Sequence, residues 1–326
     1  MTILEPQSKR RTRDKTLRVA VYSPENKGLW DRFVSESKNG VFLFYRNYME
    51  YHQDRFRDHS LLFFKGGKLV GVLPANLDGQ TLYSHGGLTF GGVVSGYDMT
   101  QPLMLEIFGK LFEHCQVIGI NRVVYKVVPY IYHSVPADED LYALFRYGAE
   151  LIARNVSSCI QLSEKRPFDS SRKDNLRKAK RNGLFVQESR DFESFMKISQ
   201  EILNERHGVK PAHTAQEIKL LASRFPNNIK LFTSCKDDEM LAGVIMYESK
   251  NVAHMQYAAN SKLGWSLGAQ DFIEDYLINH YYKNKRYFDF GISTEKSGQA
   301  LNLGLIRRKE DFGASAVMYD IYQIRV

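Results

Sequence analysis

Lys68-Leu69-Val70-Gly71-Val72-Leu73-Pro74-Ala75 returns in the second half of the chain as Met240-Leu241-Ala242-Gly243-Val244-Ile245-Met246-Tyr247. Each run is an apolar strand with a glycine in its middle. Each is followed by a short turn, another strand and a glycine-bearing loop that leads into a helix. The first loop is His85-Gly86-Gly87-Leu88-Thr89-Phe90-Gly91-Gly92, and the second runs from Asn260 to Gly268. Two unrelated hairpins with a common apolar pattern are the alternative, but the downstream order agrees as well. A period near half the chain means a duplicated domain, whereas solenoids repeat every ~20–50 residues.

The 326 residues are enough for two domains, each with its own core. The expected division is a disordered basic tail over 1–16, a first domain over 17–153 and a second over 154–326. With 43% hydrophobic and 13% aromatic residues the chain reads as folded. No apolar run reaches the ~20 residues of a membrane span. The start carries Lys9, Arg10, Arg11 and Arg13 without a following apolar stretch, so it reads as a basic tail rather than a leader. Cys115, Cys159 and Cys235 have no metal-ligand spacing, so the expectation is a cytoplasmic protein with free thiols and no metal. The formal charge of +8 suits an anionic partner.

Strands are expected at 61–64, 69–76, 122–128, 158–162, 229–233, 241–248, 252–258, 286–291 and 316–324. Helices are expected at 29–37, 101–114, 138–153, 171–181, 192–206, 215–224, 267–282 and within 299–309. This alternation defines an α/β (α+β) class with mixed central sheets flanked by helices. Eight of the residues from Lys165 to Asn182 are basic, on a helix with Asp169, Ser170 or Ser171 as its cap and Gly183 as its stop. It is either a solvated face or a clamp for phosphates. No phosphate-binding P-loop, Gly-x-Ser-x-Gly elbow, His-Glu-x-x-His or Cys-x-x-Cys pair occurs. The loop from Ala258 to Gly268 is therefore the leading anion site, since a glycine loop at a helix start offers free backbone N–H groups. Gly264, Ser266, Gly268 and Ala269 would let a pyrophosphate approach.

The order strand, Leu-Ala-Gly-Val, turn, strand, glycine loop, helix resembles the GNAT acyltransferase superfamily. Its Arg/Gln-x-x-Gly-x-Gly/Ala loop binds the pyrophosphate of acyl-coenzyme A. Leu263-Gly264-Trp265-Ser266-Leu267-Gly268 matches in part, without the leading residue and with Ser266 for the middle glycine. Two copies, the basic stretch Asn175–Gly183 and the closing Lys309-Glu310-Asp311-Phe312-Gly313 are similar to the FemAB-like tandem branch. That resemblance implies two GNAT-like domains and acyl or aminoacyl transfer. The donor it implies is acyl-CoA or aminoacyl-tRNA. The acceptor is the amine of a nucleotide-linked sugar or of a cell-envelope or polysaccharide precursor. A Fem-type tRNA-dependent enzyme and a non-catalytic phosphoglycan- or RNA-binding module are the alternatives.

Amine attack on a thioester or ester needs a base, an oxyanion donor and a proton for the leaving group. Strict alternation along 252–258 puts His254 and Gln256 on one face and Met255 and Tyr257 on the other. Tyr257 is the candidate donor to the leaving group, with His254 and Gln256 as substrate contacts. Asp289, between aromatics, and Glu295, beyond its strand end, are candidate bases. Lys309, through the family motif, is the candidate for stabilising charge. Asn302 is either a substrate contact or a cap. Arg177, Lys178 and Arg181 on the basic helix, with His85, Gly86 and Gly87 in the first glycine loop, complete the expected substrate side.

Overall fold

The computed structural model describes residues 16–207 and 213–326, so the expected basic tail lies outside the described residues except for Thr16. The first half contributes β1 (Leu17–Val21), β2 (Arg57–Asp58), β3 (Leu61–Lys65) and β4 (Lys68–Leu73). It continues with β5 (Asn76–Asp78), β6 (Thr81–Tyr83), β7 (Val94–Ser95) and β8 (Arg122–Lys126). Its helices are α1 (Lys27–Glu36), α2 (Arg46–Met49), α3 (Gln101–Val117) and α4 (Glu139–Arg146). In the second half, β9 (Glu150–Gln161), α5 (Ser170–Arg181), β10 (Phe185–Ser189), α6 (Phe192–His207) and α7 (Ala215–Arg224) precede the repeated hairpin. That hairpin is β11 (Ile229–Lys236) and β12 (Glu239–Glu248), followed by β13 (Val252–Asn260), α8 (Lys262–Leu267) and α9 (Ala269–Tyr276). The chain closes with β14 (Tyr287–Ile292), β15 (Thr294–Glu295), β16 (Ala300–Leu301), α10 (Leu303–Glu310) and β17 (Ser315–Arg325).

The duplication is visible in the pairing. Hairpin β3–β4 sets Phe63 opposite Gly71, and hairpin β11–β12 sets Thr233 opposite Gly243. Each half then closes a short parallel pair through a helical crossover, β6 with β8 across α3 and β13 with β14 across α8 and α9. Gly243 is required because a Cβ there would lie 2.5 Å from the ring of Phe195 on α6. β12 is buried on both faces from Leu241 to Glu248, which explains its continuous apolar run.

The second half is not closed on itself. Strand β17 lies between β9 and β8, so an eleven-stranded sheet runs through both halves in the order β10-β11-β12-β13-β14-β9-β17-β8-β6-β5-β2. The expected boundary between 153 and 154 thus falls within β9. Each half has a core, and a third cluster joins Phe42, Phe44 and Tyr48 of the first to Phe195, Ile245 and Tyr247 of the second.

Three expected elements differ. The helix expected over 138–153 ends at Arg146; Gly148 turns at φ +68° and the chain enters β9 at Glu150. The helix expected over 267–282 starts just after Gly268, which turns at φ +76°, runs as α9 and closes on a π-turn over Leu277–Tyr281. The expected open glycine loop is largely α8, whose cap Ser261 accepts from the Gly264 amide at 3.0 Å.

Next to the shared core, the Tyr51 hydroxyl meets His213 Nε2 at 2.7 Å, and His213 Nδ1 meets the Tyr257 hydroxyl. His52 stacks on Tyr51 at 4.2 Å and lies 5.3 Å from His85. Burial is the main cause that pushes His52 and His213 down to about 4 and His85 down to about 3. Their ordinary value is ~6.5, so between about 6.5 and 3 the unfolded chain binds more protons than the folded one. Stability therefore falls as pH drops through that window, beginning above the range where the carboxylates titrate. Urea midpoints at pH 7.5, 6 and 5 should decrease in that order, and the decline should flatten in a His52→Gln, His85→Gln variant.

Candidate functional site

Strands β13 and β14 pair only from Val252 opposite Tyr287 to His254 opposite Asp289, then part. The parting has two causes. In β14, Gly291 turns at φ +77°, and the register against β9 shifts between Asp289 and Ile292. In β13, Gln256 is an extra residue against β12, since Met246 faces Met255 and Ile245 faces Tyr257.

This bulge corrects the expected alternation. It puts His254 and Tyr257 on one face of β13, the face that meets Tyr247 and Ile245 of β12. Met255, on the other face, packs with Met246 and Val244. Gln256 sits at the kink and faces the gap between the strands.

The gap joins two cavities. The larger, ≈ 1140 Å³, lies between α5 and α8 on one side and α10 on the other. The smaller, ≈ 300 Å³, opens toward the first half and is bounded by Phe90, Lys126, Asn155, His254 and Asp320. Met255, Gln256, Phe290 and Ile292 line both. Past His254, the β14 side of the β13 backbone has no strand partner among the described residues, which leaves that edge for an extended ligand.

At the junction, Asp289 is fully buried and collects hydrogen bonds from both halves. His254 Nδ1 lies 2.8 Å from Oδ2, Tyr319 donates at 2.6 Å and Tyr132 at 3.2 Å. Ser157 donates to Oδ1 at 2.5 Å and the Gly291 amide at 3.1 Å. Burial pushes the carboxyl up, but the charge of His254 and these donors outweigh it and hold Asp289 at about 2. An ionised carboxylate only accepts, so Nδ1 of His254 carries the proton of that bond, and Nε2 is the ring nitrogen on the other side. Among the described residues Nε2 has no hydrogen-bond partner, and His254 lines the smaller cavity. A base oriented by a buried carboxylate results.

Lys309 is 3% exposed, and burial is the first cause that pushes its amine down to about 8. It donates to the carbonyls of Gly291 and Ile292 at 2.7 and 2.9 Å and to Ser293 Oγ at 2.8 Å. Its three hydrogens thus hold the β14 turn. In the rest of the motif, Phe312 packs in the core against Phe168 and Phe290, and Gly313 turns at φ +86° beneath Arg166. Lys126 does the same for the first glycine loop, donating to the carbonyls of His85, Gly86 and Leu88.

The larger cavity is cationic. Helix α5 starts at its expected cap, Asp169, and presents Arg172, Asn175 and Lys178 to it. Arg172 and Arg308 both pair with Asp271, at 2.9 and 2.8 Å, which ties α5 and α10 to α9. Lys178 and Arg307 are exposed into the cavity with no acidic partner among the described residues. Of the expected donor residues, Ser266 and Gly268 line it, whereas Gly264 is buried against Leu241 and Asn260, and Ala269 is fully buried. A Cβ on Gly268 would lie 2.7 Å from the Asn175 carbonyl at a left-handed φ. Gly268→Ala should therefore cost about 2 kcal/mol or more in denaturant unfolding, with Ser266→Ala nearly neutral.

The remaining expected residues are dispersed. Tyr257 lines neither cavity; its hydroxyl is held by His213. Glu295 is exposed and accepts from Asn302 at 2.9 Å, while Asn302 caps α10 through the Leu305 amide at 3.0 Å and borders the larger cavity. Arg177 pairs with Asp174, and neither it nor Arg181 lines a cavity. His85, Gly86 and Gly87 do not line the smaller cavity, which the loop reaches through Thr89 and Phe90; Gly86 borders a separate pocket with Arg55 and Asn76. Arg307, Asn155 and Asp320 border the cavities without having been expected there. Only an acid placed between aromatics hinted at the His254–Asp289 pair.

A parallel strand pair that opens into a ligand cleft beside a hairpin is the acyltransferase-type GNAT fold. Residues 170–297 match the family described as acetyltransferase (GNAT) domain. No curated protein matches the chain by sequence. The FemX crystal structure superposes with a TM-score of 0.68 at 11% identity, covering 95% of this chain and 97% of FemX. The L-PGS structure from Bacillus licheniformis gives 0.60 at 12%, with 92% and 91% covered. A tandem GNAT protein from the clavulanic acid pathway gives 0.50 at 12%, with 95% and 98% covered. Residues 170–297 thus match a GNAT domain, and the fold of the whole chain is similar to those of FemX and the tandem GNAT protein. At these identities the structural likeness shows the fold alone.

Proposed function

We propose that the protein is an N-acyltransferase that takes its donor in the larger cavity and its acceptor in the smaller one. The observation that carries this reading is the pair of cavities sharing the walls Met255, Gln256, Phe290 and Ile292 at the His254–Asp289 pair. His254 Nε2 takes the proton of the acceptor amine, and Asp289 steadies the imidazolium that forms. The amine attacks the acyl carbon at the gap, where open β13 backbone groups can receive the oxyanion. Collapse of the tetrahedral intermediate breaks the bond from the acyl carbon to the donor's sulfur, and the proton taken up by His254 passes to the departing thiolate. Acyl-CoA is the donor favoured by the cleft, with Lys178 and Arg307 on its phosphates. The acceptor is the amine of a nucleotide-linked sugar or of a cell-envelope or polysaccharide precursor, in the cytoplasm. A cavity of ≈ 300 Å³ with Lys126, Asn155 and Asp320 suits one sugar- or amino-acid-sized group.

Aminoacyl-tRNA is the second reading, favoured by the basic surface of α5. Calorimetry with coenzyme A and with uncharged tRNA at two salt concentrations separates them. Charge-assisted bonds contribute ~1.5–3 kcal/mol each, so Lys178→Ala with Arg307→Ala should weaken coenzyme A by at least about tenfold. Tight tRNA binding that collapses with salt, without coenzyme A binding, would move the donor to tRNA. Binding of neither would favour a phosphoglycan-binding module.

A further inference from the structure

We propose that Asn155 sets the acceptor specificity, by donating from its side-chain amide to an oxygen carried close to the reactive amine. The inference rests on the smaller cavity being the acceptor site. Strand β9 places this side chain. Asn155 lies opposite Tyr319 where β9 pairs with β17. It stands two residues before Ser157, so the two side chains share a face of the strand. Ser157 and Tyr319 both donate to Asp289, at 2.5 and 2.6 Å. Asn155 is thus on the side of the sheet that carries the His254–Asp289 pair, and it lines the smaller cavity with His254.

The orientation of the carboxamide is set from β15. Thr294 Oγ1 donates to Asn155 Oδ1 at 2.9 Å, which engages the amide oxygen. Nδ2 carries the two amide hydrogens. It bonds to no described residue, yet it is not among the buried polar atoms that lack a partner. Its N–H groups therefore stay open to a ligand in the cavity that the side chain borders.

Several other polar groups around the cavity are engaged by the protein itself. The three hydrogens of Lys126 go to the carbonyls of His85, Gly86 and Leu88, and the Tyr319 hydroxyl goes to Asp289. Arg154 holds both oxygens of Asp320, at 2.7 and 2.8 Å. His254 Nε2 and the Asn155 amide face the ligand as opposites, one a base and the other a hydrogen-bond donor. A single group filling a cavity of ≈ 300 Å³ can reach both. Its amine goes to Nε2, and what meets Asn155 must be a hydrogen-bond acceptor, an oxygen one or two carbons from that amine. Amino sugars carry such an oxygen as a hydroxyl, and aminoacyl groups carry it as a carbonyl. A plain alkylamine has none.

D-glucosamine, glycinamide and n-propylamine are the probes that separate these classes. Saturation-transfer NMR follows their binding to the full chain with coenzyme A present, and initial rates with acetyl-CoA give kcat and KM. The proteins compared are the parent, Asn155→Leu and Thr294→Val, each checked for folding by circular dichroism. Reading each amine against itself across the variants cancels differences in amine basicity. Loss of one hydrogen bond predicts about 2- to 12-fold weaker binding in Asn155→Leu of glucosamine or glycinamide, whichever the parent takes. The loss should fall on KM, with n-propylamine and coenzyme A bound as in the parent. Thr294→Val leaves the carboxamide free to turn and should give a smaller loss of the same kind. Equal affinity for the oxygen-bearing amines in the parent and Asn155→Leu, equal losses for all three amines, or a parent that binds n-propylamine alone would each overturn the proposal and leave the acyltransferase reading standing. A parent that binds none of the three and transfers no acetyl group would remove the acceptor pocket, and this proposal with it.

Discussion

His254→Ala should lower turnover by about 10²- to 10⁴-fold, the usual span for loss of a positioned base. Coenzyme A affinity should be nearly unchanged, because the imidazole lines the smaller cavity and not the larger one. The cause is local. With Asp289 ionised and accepting from Nδ1, Nε2 is left for the proposed acceptor, and among the described residues no other imidazole lines the smaller cavity. His254→Gln keeps a donor toward Asp289 without a basic nitrogen, so it should fold like the parent and be equally slow. Steady-state kinetics beside calorimetry provide the check; parent-like turnover in His254→Gln would assign the base elsewhere.

Asp289→Ala should be the most damaging single change for stability, by about 3–5 kcal/mol. Ser157 from β9, Tyr319 from β17 and Tyr132 from the first half all point hydroxyls at this one carboxylate. Removing it leaves buried donors unpaired at the seam where β17 joins the two halves. Asp289→Asn should cost less stability but as much turnover as His254→Ala. An amide N–H directed at Nδ1 shifts the ring proton to Nε2 and removes the lone pair. The wild-type carboxylate, held at about 2 against an unfolded value near ~3.9, stabilises above the unfolded value. That contribution is lost only as pH falls from about 4 to about 2, so it is complete at neutral pH. Denaturant unfolding at pH 7 with parallel kinetics distinguishes the two substitutions.

Much of the architecture was readable because the repeated run around Gly71 and Gly243 has a strict local cause. A strand covered on both faces must be apolar throughout, and its glycine must admit a packed helix. The cap and stop of α5 were readable for the same reason, since Asp169 and Gly183 satisfy helix ends locally. The site was less legible. The bulge at Gln256 depends on how β12 and β13 pair, and it overturns the period-two face assignment that separated His254 from Tyr257. The His254–Asp289 bond joins parallel strands across a helical crossover, and Tyr132 and Tyr319 reach it from distant segments. Lys309 stood out by motif, yet its three hydrogens serve the turn at Gly291 to Ser293. Gly148 ended a helix that apolar periodicity alone would have continued, and Gly268 set the start of the next long one.

A crystal structure with coenzyme A bound addresses the central claim, that one ligand-bearing cleft meets an acceptor pocket at His254. The account predicts phosphates at Lys178 and Arg307, the pantetheine arm along β13 from Asn260 to Gln256, and the thiol at the gap beside Phe290, facing the His254 cavity. Coenzyme A bound away from this cleft, or with its thiol directed away from the gap, would contradict it.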